Sequence, residues 1–259
     1  MTQAPIYHSA EGEALLRAAY AGILKHWPVP HEFLRLPTRQ GETFVVASGD
    51  PAAPPLVLLH GAGANAFTWM GDVAAWAKHF RVYAVDVIGE PGESAPSRPS
   101  RSGPAHAEWL DDVLEGLGVA KADMVGMSLG GWLALDYAIR RLDRVGKLAL
   151  ICPGGIGQVK LSFLVQSLGL LLMAYLTLIF THFRPNRGEL PTFGDAALGQ
   201  LKGPILMIVG ARDTLLDSAE SARRLARAAP QAKITVLPDA GHFIAGQTAP
   251  ILDFLLAAP

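Results

Sequence analysis

Asp123-Met124-Val125-Gly126-Met127-Ser128-Leu129-Gly130-Gly131-Trp132-Leu133-Ala134-Leu135-Asp136-Tyr137-Ala138-Ile139 reads as three elements in a row. A short apolar run at 123–125 has the character of a buried strand. Gly126-Met127-Ser128-Leu129-Gly130 is a turn with glycine on both sides of a serine. The residues that follow read as a helix. In so tight a turn a side chain at either flanking position clashes, and glycine removes the clash. The serine hydroxyl is then left pointing out of the top of the sheet, as in a nucleophile elbow. The pentapeptide alone has little specificity in a chain with 27 Gly. Its meaning depends on what else the chain supplies.

A serine hydroxyl is a poor nucleophile without a base, and the base needs an acid to orient it. The run Pro204-Ile205-Leu206-Met207-Ile208-Val209 is apolar throughout and rich in β-branched residues, the pattern of a strand buried on both faces. It ends in Gly210-Ala211-Arg212-Asp213. Asp213 thus stands just past the carboxyl end of a strand, where open α/β sheets place working residues. Asp213 as a mere turn cap is the plain alternative. Asp217 precedes a helix and is the better N-cap candidate. Lys233-Ile234-Thr235-Val236-Leu237 is another strand, followed by Pro238-Asp239-Ala240-Gly241-His242. Of eight His, His242 alone follows both Ser128 and Asp213. Ser128, Asp213 and His242 are therefore the candidate nucleophile, acid and base.

Attack on a carbonyl builds negative charge on its oxygen. Fixed backbone N–H groups stabilise that charge, and losing one costs ~100-fold or more in rate. The strand near 56–59 runs into His60-Gly61-Ala62-Gly63-Ala64-Asn65, whose small residues allow close approach. The N–H groups of Leu129, next after the serine, and of Ala62 are the candidate donors.

Together these elements resemble the α/β-hydrolase family, in its serine esterase and lipase group, from residue 31 to the end. Asp86-Val87-Ile88-Gly89-Glu90-Pro91-Gly92-Glu93-Ser94 resembles that family's Asp-x-x-Gly-x-Gly-x-Ser loop but carries one extra residue. The resemblance implies a doubly wound, mostly parallel sheet flanked by helices, with a core over 31–153 and 204–259. Residues 1–30 would form an N-terminal helical arm and 154–203 a short apolar helical cap. It implies hydrolysis of small to medium apolar carboxylic esters through an acyl-enzyme. The same three residues also support C–C hydrolysis, cyanohydrin cleavage, amide hydrolysis or peroxyacid formation. Halide and epoxide hydrolases of this kind carry Asp at the nucleophile position.

The alternation of patterns agrees. Strands are expected near 32–36, 43–48, 56–59, 82–85, 124–125, 148–151, 205–209 and 234–236, with helices between. Such alternation means a parallel sheet. Leu15, Ala19 and Ile23, with Leu16, Tyr20 and Leu24, mark an N-terminal amphipathic helix within 11–27. Trp69, Val73, Trp76 and Phe80 mark one further helix face, and Trp109, Val113 and Leu117 another. Residues 161–180 are apolar enough to raise a bilayer-spanning helix, but they lie between Ser128 and Asp213, which must meet. A cap over an apolar pocket is the better account.

At 259 residues with 50% apolar content, the chain suits one large domain burying roughly 70–75% of its unfolded surface. A net charge of −1 gives no footprint for nucleic acid. Arg140-Arg141 with Arg144, and Arg223-Arg224 with Arg227, sit at helix ends where they suit the dipole. Cys152 is the one cysteine. No disulfide can form within the chain, and the residue reads as a buried strand end. No metal-binding spacing occurs, and neither metal nor cofactor is expected. The first nine residues lack a secretory pattern, so the cytoplasm is the expected location, as monomer or homodimer, with a small-molecule ester as partner.

One rival uses other residues. Gly61-Ala62-Gly63-Ala64-Asn65-Ala66 fits Gly-x-Gly-x-x-Gly/Ala after a strand, and Asp86 lies about twenty residues on, where a ribose-binding acid belongs. An NAD(P)-binding oxidoreductase would leave Ser128, Asp213 and His242 without a task. A non-catalytic binding protein on this fold would do the same.

Overall fold

The computed structural model describes residues 5–158, 170–186 and 188–258, with backbone alone for 170–173. Its frame is one eight-stranded sheet in the order β1-β2-β4-β3-β5-β6-β7-β8. The strands are β1 His31–Leu36, β2 Thr43–Ser48, β3 Pro55–Leu59, β4 Arg81–Val85, β5 Ala122–Met127, β6 Val145–Ile151, β7 Ile205–Gly210 and β8 Lys233–Leu237. β2 runs antiparallel to both β1 and β4. Every other neighbouring pair is parallel. This is the expected doubly wound architecture.

Its two faces follow from the period of two along each strand. Val57 and Leu59 of β3, with Ile205, Met207 and Val209 of β7, join one apolar cluster. Leu56 and Leu58, with Leu206 and Ile208, join the other. The first cluster is closed by Trp109 and Val113 of α3 (Ala105–Gly116), Leu133 and Tyr137 of α4 (Leu129–Arg140), Leu198 of α6 (Asp195–Leu198) and Leu225 of α7 (Ser218–Ala228). The second is closed by Leu16 and Tyr20 of α1 (Ala10–Leu24), Trp76 of α2 (Val73–Trp76), Ile179 of α5 (Leu170–His182) and Ile251 of α8 (Thr248–Leu256).

The helix expected through Trp69 and Phe80 is not continuous. Ala66–Trp69 is a 3-10 turn, capped by the Asn65 side chain accepting from Phe67 N–H at 3.3 Å. The four-residue α2 follows after Gly71 and Asp72. Trp69, Val73, Trp76 and Phe80 are nevertheless all buried. Their spacing recorded burial against the sheet, which two short turns satisfy as well as one helix. Four arginines of the basic groupings pair with carboxylates: Arg140 with Asp136, Arg141 with Asp111, and Arg224 and Arg227 with Asp195.

Of the apolar run 161–180, residues 161–169 lie outside the described residues, and the remainder belongs to α5. Among the described residues no helix is long and apolar enough to cross a membrane. α5 packs instead on α1. A Cβ at Gly12 would stand 2.7 Å from the His182 ring. His8 N–H donates to His182 O at 2.8 Å, and Arg184 N–H to Ile6 O at 2.8 Å.

The turn after β5 is packed so closely that its glycines have no substitutes. A Cβ at Gly130 would lie 1.9 Å from the Leu59 carbonyl oxygen, and one at Gly126 would lie 2.4 Å from Gly130 O. Both obstacles are backbone, which cannot step aside. Gly130→Ala is expected to cost about 2 kcal/mol or more, or to prevent folding, through steric overpacking. Gly22→Ala is the control. Gly22 lies inside α1 with nothing among the described residues within 4 Å of an added Cβ, so alanine there should stabilise by about 0.5–1 kcal/mol. Chemical denaturation of both variants, read as midpoint shifts of opposite sign, checks the packing.

Candidate active site

Ser128 joins β5 to α4 with φ 51° and ψ −109°. A non-glycine residue in this region is strained by about 1–3 kcal/mol and persists only where its surroundings dictate it. Here they do. Ser128 N–H donates to Ile151 O at 2.9 Å, while Ser128 O accepts from Trp132 N–H and Gly154 N–H, each at 3.0 Å.

The loop after β8 brings His242 to this turn. Its Nε2 lies 3.0 Å from Ser128 Oγ, and its Nδ1 lies 2.9 Å from Asp213 Oδ2. The Asp213 carboxylate also accepts from Leu215 N–H at 2.8 Å, Leu216 N–H at 3.0 Å and Ser218 Oγ–H at 3.1 Å. Burial opposes its ionisation, but the His242 hydrogen bond and the two backbone donors outweigh burial and hold the carboxyl at about 2. Asp213 is thus an anion across neutral pH and can only accept. Nδ1 of the neutral ring must therefore carry the proton. That leaves the Nε2 lone pair facing the serine hydroxyl. Asp217 does something else: its Oδ1 accepts from Glu220 N–H at 3.0 Å and caps α7.

Leu129 opens α4 directly after the serine. Gly61 passes beside it, since a Cβ there would stand 3.5 Å from Ser128 Cβ. Among the described residues neither the Leu129 nor the Ala62 N–H has a hydrogen-bond acceptor.

Residues 60–66 are laced to the 86–94 loop, a feature the sequence reading passed over. Val87 N–H donates to His60 Nε2 at 2.9 Å, so His60 Nδ1 carries the hydrogen and donates to Gly61 O at 2.8 Å. Burial holds His60 down at about 4, hence neutral. Gly63 N–H donates to Glu90 Oε2 at 2.7 Å, Asn65 Nδ2 to Pro91 O at 2.8 Å, and Ala66 N–H to Asp86 Oδ1 at 2.8 Å. Asp86 Oδ1 accepts from Tyr20 Oη of α1 at 2.9 Å as well, and Oδ2 from Glu93 N–H at 2.9 Å. Tyr175 Oη of α5 lies 2.6 Å from Asn65 Nδ2. The one sequence signal for all this was the extra residue at 86–94.

This lacing removes the dinucleotide reading. Asp86 is 0% exposed and both its oxygens are engaged, so it cannot meet a ribose. The Gly63 N–H is occupied, and a 3-10 turn stands where a phosphate-binding helix would begin. The Cys152 Sγ, an Asp213 oxygen and a His242 nitrogen lie within 4.8 Å of one another. Burial pushes the thiol up to about 12, so Cys152 stays protonated behind the acid, and His242 Nδ1 is committed to Asp213.

The family model described as "alpha/beta hydrolase fold" matches residues 54–187. The chain belongs to the alpha/beta hydrolase fold family. This alpha/beta hydrolase is 29% identical over 255 residues to the Bacillus subtilis (strain 168) protein named "Uncharacterized carboxylesterase nap", covering 87% of this chain and 85% of that one. It is 39% identical to carboxylesterase YbfK of the same strain over 135 residues, 52% of this chain and 46% of that one. The crystal structure of carboxylesterase CesB (YbfK) superposes with a TM-score of 0.84 at 26% identity over 95% of this chain and 99% of that one. That of the naproxen esterase (carboxylesterase NP) from Bacillus subtilis gives 0.82 at 27%, over 96% and 98%.

The two aspartates of this hydrolase are separable. Asp213→Asn should cut turnover by about 10⁴-fold, because an amide cannot stabilise the imidazolium and selects the wrong tautomer. Asp217→Asn should leave turnover within about twofold and shift stability by less than about 1 kcal/mol, since asparagine caps helices as well. Turnover and melting temperature of both variants test the assignment. Lost turnover in Asp217→Asn with Asp213→Asn spared reverses it.

Proposed function

We propose that this chain is a carboxylesterase for small to medium apolar esters, with Ser128 as nucleophile, His242 as general base and Asp213 as the acid that orients it. The observation that carries this reading is the continuous hydrogen-bonded line Asp213–His242–Ser128, at 2.9 and 3.0 Å. The similarity to proteins named carboxylesterases supports the choice of ester over other acyl substrates.

In this reading Ser128 Oγ attacks the ester carbonyl carbon while its proton passes to His242 Nε2. The imidazolium so formed is stabilised by the Asp213 carboxylate. Charge on the carbonyl oxygen is met by the N–H groups of Leu129 and Ala62, each worth about 100-fold or more in rate. The tetrahedral intermediate collapses as the alcohol departs with the proton from Nε2, leaving an acyl group on Ser128. Water, giving its proton to Nε2, then attacks the acyl carbon, and the acid is released as the serine recovers its proton. No step calls on a metal or cofactor.

Two measurements test this. A panel of p-nitrophenyl esters should be hydrolysed, with preference for short and medium acyl chains. Ser128→Ala should lose at least about 10³-fold in turnover while keeping its melting temperature. Wild-type turnover in Ser128→Ala on every ester would sink the nucleophile assignment. A fluorophosphonate should add one covalent group, mapped by peptide mass to Ser128. Labelling at another residue, or none in an active preparation, counts against the mechanism.

A further inference from the structure

Glu90 is a carboxylate in an expensive place. It is 4% exposed, and burial pushes it up to about 7 against the pull of the Gly63 N–H and of the Arg98 and Arg101 charges. A buried carboxyl that is not fully paired is costly relative to an apolar side chain of like volume. Stability alone would favour leucine or methionine at this position. What the carboxyl does that an apolar group cannot is accept a hydrogen bond. Among the described residues the one its side chain accepts comes from Gly63 N–H at 2.7 Å, across 27 positions of sequence.

That acceptor sits at a telling point. Gly63 N–H belongs to the peptide joining Ala62 to Gly63, directly beyond the N–H that the esterase reading assigns to the developing oxyanion. Gly63 has φ +70°, and among the described residues nothing lies within 4 Å of an added Cβ. The other ties of the loop lie to either side, at His60, Asn65 and Ala66. Glu90 is the one that grips the corner itself. Glu90 also occupies the stretch where the 86–94 loop carries its additional residue, so the departure from the family pattern and the grip on Gly63 coincide.

We propose that Glu90 is a positioning residue, whose carboxyl fixes the Ala62–Gly63 peptide through Gly63 N–H and thereby aims the Ala62 N–H at the acyl oxygen of the substrate. The proposal rests on the esterase reading above. It predicts that the contact acts on the transition state and not on substrate binding, because a misaimed donor matters only once charge has formed on oxygen.

Three variants test it on p-nitrophenyl butyrate, after Ser128→Ala has shown that wild-type turnover depends on that serine. Glu90→Met removes the acceptor and keeps the volume. Its kcat should fall about 30- to 100-fold, with KM changed less than about threefold. Its affinity for an alkyl trifluoromethyl ketone, which forms an oxyanion on Ser128, should fall by the same factor as kcat/KM. Its affinity for butyl methyl ether, a neutral ligand that forms none, should not change. Glu90→Gln keeps an acceptor oxygen and should recover all but about threefold of the loss. Glu90→Ala, which admits water to Gly63 N–H, should fall between the two. Wild-type kcat in Glu90→Met overturns the proposal. So do equal losses for ketone and ether, or a Glu90→Gln variant as impaired as Glu90→Met. If neither Glu90→Met nor Glu90→Ala melts cooperatively, the carboxyl serves the fold and the positioning role falls. A wild-type protein without ester turnover or Ser128 labelling would instead remove the esterase reading, which the variants leave untouched.

Discussion

Leu59 O, the last carbonyl of β3, lies where a Cβ on Gly130 would reach to 1.9 Å. This close approach governs what surrounds it. It seats the first turn of α4 directly on the sheet and forces the preceding residue, Ser128, to positive φ. It also brings β3's exit loop alongside the serine, with Gly61 next to Ser128 Cβ. A larger residue at 130 would lift α4 away, and Ser128, helix N-terminus and loop would lose their common origin. Asp213 and His242 then have only to arrive from the carboxyl ends of β7 and β8. With strands spaced about 4.8 Å apart, β8 lies roughly 14 Å from β5, so the loop after β8 must cross two strands to place the imidazole.

Much of this was legible in the residues. All eight strands announced themselves: the central ones because a strand covered on both faces must be apolar at every position, as Leu56–Leu59 and Ile205–Val209 are, and the half-exposed edge strands β1 and β8 by their flanking turns and β-branched or aromatic residues. That Ser128, Asp213 and His242 would meet in space was legible for a related reason: each follows a strand at its carboxyl end. The 69–80 segment misled because periodic burial does not distinguish one helix from a 3-10 turn followed by a short helix. Gly71 and Asp72 were the missed punctuation.

The lacing of the 60–66 and 86–94 loops left only one trace in the sequence, the extra residue at 86–94. It joins backbone N–H groups to buried side chains from distant parts of the chain, and nothing in spacing or hydropathy marks such a bond. In sequence Asp86 reads as the acid of a family loop or of a ribose site, and Glu90 carries no signal of its own. In the fold both are buried, and burial pushes Asp86 up to about 6 and Glu90 to about 7. The same burial that makes Asp86 useless to a ribose makes it a rigid anchor for Ala66 and Glu93.

Two tyrosines extend that anchor outward. Tyr20 of α1 reaches Asp86, and Tyr175 of α5 reaches Asn65 while its ring stands edge-on to Phe67 at 5.4 Å. Since α1 and α5 also grip each other through His8, Gly12 and His182, the outer helices and the loop beside Ser128 form a closed mechanical circuit. α5 cannot slide outward while the loop stays in place unless the Tyr175–Asn65 bond is broken. The geometry around Ser128 is therefore held from outside the sheet, like a string fixed at a peg some distance from the bridge.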